Sequence, residues 1–175
     1  RVMVESVTRP DYVSPLSFLA SDTNLAKLVP PEVYEATKRK ALEIGFEEST
    51  VAAWKPWWAE SILNWRTLED AGYRREVGME ALVYTMAKAS RRPLATLETY
   101  EAGFECQDRA PLAEQVWGLE LAALRPHDVL RNIETLTQSW IQASPAGFIQ
   151  DLEESLRHQP LTTDCSIRGR SLSWL

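Results

Sequence analysis

Histidine and cysteine are both scarce here, two of each in 175 residues. Cys106 and Cys165 stand far apart, with no C-x-x-C spacing and no histidine beside either, so they cannot form a zinc site by themselves. Two readings of the pair stay open. They are either reduced thiols half-buried in helices, or partners in an exported protein whose bond would close a long loop, worth roughly 4 kcal/mol in the chain-entropy picture. No apolar run approaches the roughly 18 residues that cross a bilayer, so no transmembrane segment is expected. The first residues show no charged region followed by an apolar one, so no secretory leader is read there. Basic character is lacking too: the net charge is −6, and the basic clusters are only Lys38-Arg39-Lys40, Arg74-Arg75 and Arg91-Arg92. A surface that tracks phosphates needs a denser stripe, which excludes nucleic acid as a main partner. No fixed-period repeat links the segments, so a solenoid is excluded as well.

What remains is an ordinary globular composition, 45% hydrophobic and 25% charged, long enough for one domain with a substantial core. The most informative stretch is Gly78–Thr99. Met79, Leu82, Val83, Met86 and Ala87 fall at the spacing of one helical face. Ser90-Arg91-Arg92 breaks that period, and Pro93 cannot continue a helix, so Leu94–Leu97 should run extended and end on Glu98. Val2–Glu5 alternates around β-branched residues and reads as a second strand, ending on Glu5. An apolar strand at the first residue and an uncapped end at Leu175 lead to the expectation that the chain is a piece of something longer.

Nearly everything else reads as helix. Pro30-Pro31 opens a helix over Glu32–Ile44 with Gly45 past its end, and Pro56 opens another that runs to Ala71. Trp58, Ile62 and Trp65 share a stripe on that second helix. The stripe is either core or a contact platform, and core is the commoner use of such a pattern. Tyr100–Gln107 forms a helix or helical turn, and Pro111 starts the next helix. A long helix after Arg125-Pro126 should turn Val129, Leu130, Ile133, Thr137, Trp140 and Ile141 inward. Ser144-Pro145 caps a helix through Leu156, and the pattern weakens from Pro160 onward.

The expected architecture is therefore α/β and mostly helical. A small parallel sheet of two strands in this chain is joined by a long multi-helix crossover and followed by further C-terminal helices, all in a single domain over residues 1–175.

Several strings fall in a collinear order: VMVES at Val2–Ser6, KPWWAESIL at Lys55–Leu63, GMEALVYTMAKASRRPLATLET at Gly78–Thr99, APLAEQ at Ala110–Gln115, Trp140 in LTQSW, and IRGRSLSW at Ile167–Trp174. Together they resemble the TraB/GumN family, which is related to the Tiki metalloproteases, along essentially the whole chain. That family carries two Gly-x-x-His motifs that flank this region, and neither is in this sequence. His127 and His158 match neither and read as exposed histidines. Glu80 stands where the family usually has Asp, and Arg170-Ser171 where it often has Arg-Asn.

The resemblance implies a truncated domain of this type and, for the full-length protein, metal-dependent hydrolysis with peptides or proteins as substrates. A divalent ion (Mn, Co or Zn) would be held there by imidazoles and carboxylates, lowering the pKa of a bound water while a carboxylate takes its proton. Glu5 and Glu98 match the family's strand-end glutamates, and the resemblance implies that they converge at one sheet edge as metal ligand and base. Lys55, Trp57, Trp58, Glu80 and Arg170 are the further site candidates. Without histidine ligands two glutamates hold a transition ion weakly, so no metal is expected in this chain itself and it should be inactive alone. The competing readings of the two glutamates are local: Glu98 as a cap for the helix near Tyr100, and Glu5 in an ordinary salt bridge.

The runner-up function is a non-catalytic binding or regulatory protein, acting on a signal peptide or pheromone or in an exopolysaccharide system, with the tryptophan-rich helix as its surface. Self-association through unpaired strand edges is a third reading. The family's bacterial branch favours an exported or cell-envelope location over a cytoplasmic one.

Overall fold

A computed structural model describes residues 2–4, 13–74, 77–99 and 101–173. The chain is mostly helical, as expected. Among the described residues, β structure consists of one parallel pair, β1 (Val2–Val4) with β2 (Leu94–Thr96), in the register Val2↔Leu94, Met3↔Ala95 and Val4↔Thr96, and one isolated antiparallel bridge, Phe18↔Trp54. A single pair of three-residue strands forms no layer, so the anticipated small sheet does not organise the fold. The helices do.

Helix α1 (Pro31–Glu43) begins where the fixed φ of proline suits a first turn, and it ends at Gly45, whose φ of +95° only glycine adopts without strain. A short α2 (Glu48–Ala52) leads into α3 (Pro56–Asp70). The entry to α3 is fixed from outside. Leu19 N–H donates to the Ala53 carbonyl at 2.8 Å and Lys55 N–H to the Ser17 carbonyl at 2.9 Å, so residues 17–19 clamp the turn that sets Lys55 and Trp57.

The core gathers where α1, α3 and α6 (Leu112–Leu124) meet. Leu25, Val33, Val51, Trp54, Leu63 and Leu119 are fully buried there, each contributing on the order of 1.5–3 kcal/mol. Helices α3 and α6 approach closely through small residues, Ala59 on one side and Gly118 and Ala122 on the other. A methyl group at Gly118 would come within 2.3 Å of the Glu60 carboxylate, so that carboxylate lies directly over the α6 backbone.

Two expected faces stay partly uncovered. The apolar stripe of α4 (Met79–Ala89) packs only its Ala87 end away from solvent, and Met79 is 73% exposed. On α7 (Pro126–Ile141) the residues expected inward near its end point outward: Trp140 is 77% exposed and Ile141 is also exposed. Both helices are amphipathic as their periodicity predicts, but their neighbours leave Met79, Leu82 and Met86 on α4 and Trp140 and Ile141 on α7 exposed. Helix α8 (Ala146–His158) packs back on α7 instead through Gly147, whose N–H donates to the Ser139 hydroxyl at 3.1 Å.

The C-terminal stretch is more regular than its weak pattern predicts. Short α9 (Pro160–Asp164), one π turn (Cys165–Gly169) and α10 (Arg170–Ser173) follow one another without a break. No helix among the described residues is long and apolar enough to cross a membrane.

Candidate functional site

The segment that follows β2 is where five of the seven predicted site residues meet. Glu98 lies two residues beyond the strand, with its side chain only 7% exposed. Just after it the Thr99 hydroxyl accepts from Ala102 N–H at 3.2 Å as the chain turns into a one-turn 3-10 segment, Ala102–Phe104. Glu98 is held by a guanidinium that arrives from far along the chain. Arg170 Nε donates to Oε2 at 3.2 Å and its Nη2 donates to Oε1, a two-pronged clasp. Such geometry fixes a carboxylate in orientation as well as charge. Gly103 lies against the carboxylate, where a Cβ would stand 3.4 Å from Glu98 Oε1.

Five residues further on, the same segment receives the start of α3. In α5 (Glu105–Arg109), Asp108 pairs with Lys55 and accepts from Trp57 Nε1 at 3.2 Å. The ring of Trp57 stacks on Phe104, with centroids 5.5 Å apart, and Trp58 meets Phe104 edge-on at 6.2 Å. Lys55, Trp57, Trp58, Glu98 and Arg170 therefore all converge on residues 98–108, although they come from three distant parts of the chain. Glu80 lies elsewhere, exposed in the first turn of α4, where an acidic side chain favours the helix dipole. Glu5 lies outside the described residues, so its convergence with Glu98 has no structural counterpart here.

A covalent bond pins the cluster. Cys106 and Cys165, 59 positions apart, form a disulfide that joins α5 to the π turn just before Arg170. Of the two sequence readings of these cysteines, the structure has the bonded one.

Asp108, Phe104 and Gly103 were not among the sequence candidates. A lone Asp in a Cys-Gln-Asp-Arg string carries no signal of its own, and its partner Lys55 is 53 positions away. The APLAEQ string gains a structural meaning. Glu114 is buried and accepts from Leu161 N–H, Thr162 N–H and the Thr162 hydroxyl at 3.2, 2.9 and 2.7 Å, so it caps α9. Gln115 Nε2 donates to the Ala110 carbonyl at 2.9 Å, closing the turn before α6.

The tryptophan platform is largely absent. Trp54 and Trp57 are 1% and 2% exposed, Trp58 is half-buried against Phe104, and Trp65 alone of the α3 tryptophans stands exposed.

A divalent metal does not fit the residues described. No group of three or more His, Cys, Asp or Glu side chains among them is arranged to hold one. Arg170 occupies one direction on each oxygen of Glu98, and both cysteines are spent on each other. His127 is exposed on α7, and His158 stacks flat on Trp117 at 4.5 Å while pairing with Glu154 at 3.1 Å. Both histidines are exposed, as their polar context predicts.

One further carboxylate is chemically unusual. Glu60, pressed on Gly118 between α3 and α6, has its pKa pushed up to about 7 by burial, with the Asn64 amide opposing weakly from 3.5 Å. Asn64 Oδ1 beside it is buried without a partner.

The family model described as TraB/PrgY/gumN matches residues 1–175. No curated protein and no solved structure gives a significant match.

Proposed function

The chain belongs to the TraB/PrgY/gumN family, and from that premise we propose that it supplies the carboxylate half of a hydrolytic site whose remaining groups lie in the rest of the full-length protein. Peptides are the substrate class that the family resemblance favours. The observation that carries this reading is the Glu98–Arg170 clasp at the end of β2. A general base must be held in one orientation while keeping a lone pair for the proton it takes. Each oxygen of an ionised carboxylate has two acceptor directions, and the clasp uses one on each, so Glu98 can still receive a proton from water. Arg170 is a positioning residue that holds this orientation.

The described residues offer no ligand set for a metal, so no step is routed through one. Metal dependence, which the family resemblance implies, belongs to the full-length protein and draws on imidazoles outside these residues. This chain alone should therefore not cleave peptides. The alternative of a binding protein that works through the tryptophan-rich helix has little surface to use, since most of those rings are in the core. An exported or envelope location is supported by the Cys106–Cys165 bond, because such bonds persist in oxidising compartments.

The test is peptide cleavage by the full-length protein with manganese, cobalt or zinc supplied. Glu98→Gln should lower the rate by about 100-fold or more at unchanged helical content. Unchanged cleavage in that variant would overturn the assignment.

A further inference from the structure

The last helical stretch, residues 160–173, lies across the site like a strap, and three tethers hold it. Glu114 caps its first turn, Cys165 is bonded to Cys106, and Arg170 ends on Glu98. Apolar packing contributes little. Thr163 is the one buried side chain among residues 160–172, whereas Leu161, Ile167 and Leu172 are exposed. Of the three tethers only the middle one is covalent, and it is well placed to set the third. Cys106 sits on the segment that carries Glu98, Phe104 and Asp108. Cys165 opens a single π turn, and Arg170 is the first residue after that turn. Such turns are rare and gather at functional positions.

We propose that the Cys106–Cys165 bond is a redox latch for the Glu98–Arg170 pair. In the oxidised protein it holds the strap so that the guanidinium meets the carboxylate. After reduction the strap loosens and the carboxylate loses its positioning partner. This rests on the reading of Glu98 as a site group.

The reductant is a dithiol. Its thiolate attacks the sulfur of Cys165, the more exposed of the pair, and Cys106 leaves as a thiolate that takes up a proton. The second thiol of the reagent then closes on the first, releasing Cys165 as a thiol. Two electrons pass to the protein, and the reagent ends as a cyclic disulfide. A cysteine pair that breaks and reforms in this way switches the site without altering any group in it.

The experiment compares the full-length protein oxidised, and reduced with dithiothreitol then alkylated with iodoacetamide, by hydrogen–deuterium exchange at short labelling times. Amides of residues 98–104 and 160–173 should exchange about tenfold faster or more after reduction, while α1 and α3 remain protected. In Arg170→Gln the 98–104 stretch should already be fast and reduction should add little there. Unchanged protection of 160–173 on reduction overturns the proposal, as does complete exchange of α1 and α3 at the same short labelling times, which would mean that the reduced chain unfolds as a whole. Equal acceleration of 98–104 with and without Arg170 also overturns it. Where cleavage is measurable, reduction should lower kcat about tenfold with KM unchanged. A full-length protein with no cleavage in either state defeats the hydrolase reading, and exchange still decides the latch.

Discussion

At the scale of single residues, Glu60 gives the sharpest pH dependence. Its carboxyl is raised to about 7 because burial over Gly118 penalises the charged form. In an unfolded chain it would titrate near 4.5. Below that value both states hold the proton, and the full contribution to stability is present. Between 4.5 and about 7 the folded state binds more protons than the unfolded one, so stability falls as pH rises. The fall is on the order of 3 kcal/mol and levels off above the folded pKa. Glu60→Gln has no charge to bury. Urea midpoints taken from pH 4 to 9 should therefore show the variant gaining on the parent between pH 4.5 and about 7 and holding that gain above it. Parallel curves would mean that water or a cation solvates the carboxylate in solution. Little of this was legible in the sequence, because Glu60 occupies an ordinary position in a helical string. Only the fold puts a side-chain-free residue of α6 beneath it. The same holds for Asp108, whose partners come from the start of another helix, whereas Glu98 announced itself by its place after a proline-led strand.

At the scale of elements, helix starts were the most legible feature, since proline at a first turn fixes φ before any packing occurs. Faces were half legible. Periodicity shows which side of α4 and α7 is apolar, but not whether anything covers it. That is why Trp140, read as inward, is exposed. The C-terminal strap was the least legible, because polar tethers hold it in place of an apolar stripe. Two predictions belong here. A methyl at Gly147 would come 3.1 Å from the Ser139 and Thr135 carbons and 2.2 Å from the Ser139 hydroxyl. Gly147→Ala should therefore force α7 and α8 apart and cost about 1–3 kcal/mol despite the better helix propensity of alanine, as denaturant titration would register. Glu114→Ala leaves two amide groups of α9 without their acceptor, so it should cost about 1–3 kcal/mol and accelerate exchange at residues 160–164. If those amides kept their protection, the capping role assigned to Glu114 would be wrong.

At the scale of the whole molecule, the disulfide divides the chain unequally. The loop between Cys106 and Cys165 encloses α6, α7, α8 and α9, whereas α1, α2, α3 and α4 precede it. Helix α6 is the shared element, because it closes the core formed with α1 and α3. Cross-linking around α6 therefore limits the unfolded ensemble of the half on which the other half depends. In the chain-entropy description a loop of 59 positions is worth roughly 4 kcal/mol. The double variant Cys106→Ser with Cys165→Ser should lose about that much in urea unfolding, in a single transition, because α6 cannot leave without opening the common core. A loss much smaller than this would mean that the reduced, unfolded chain stays compact around α6–α8. Two transitions would mean that the α1–α3 half is stable without its partner helix. The single cooperative loss is expected because most of the buried apolar side chains lie in or against the α1–α3–α6 junction, and few lie in the strap. The bond thus serves both stability and site geometry. The core holds the fold, and one covalent bond outside it sets where Arg170 stands.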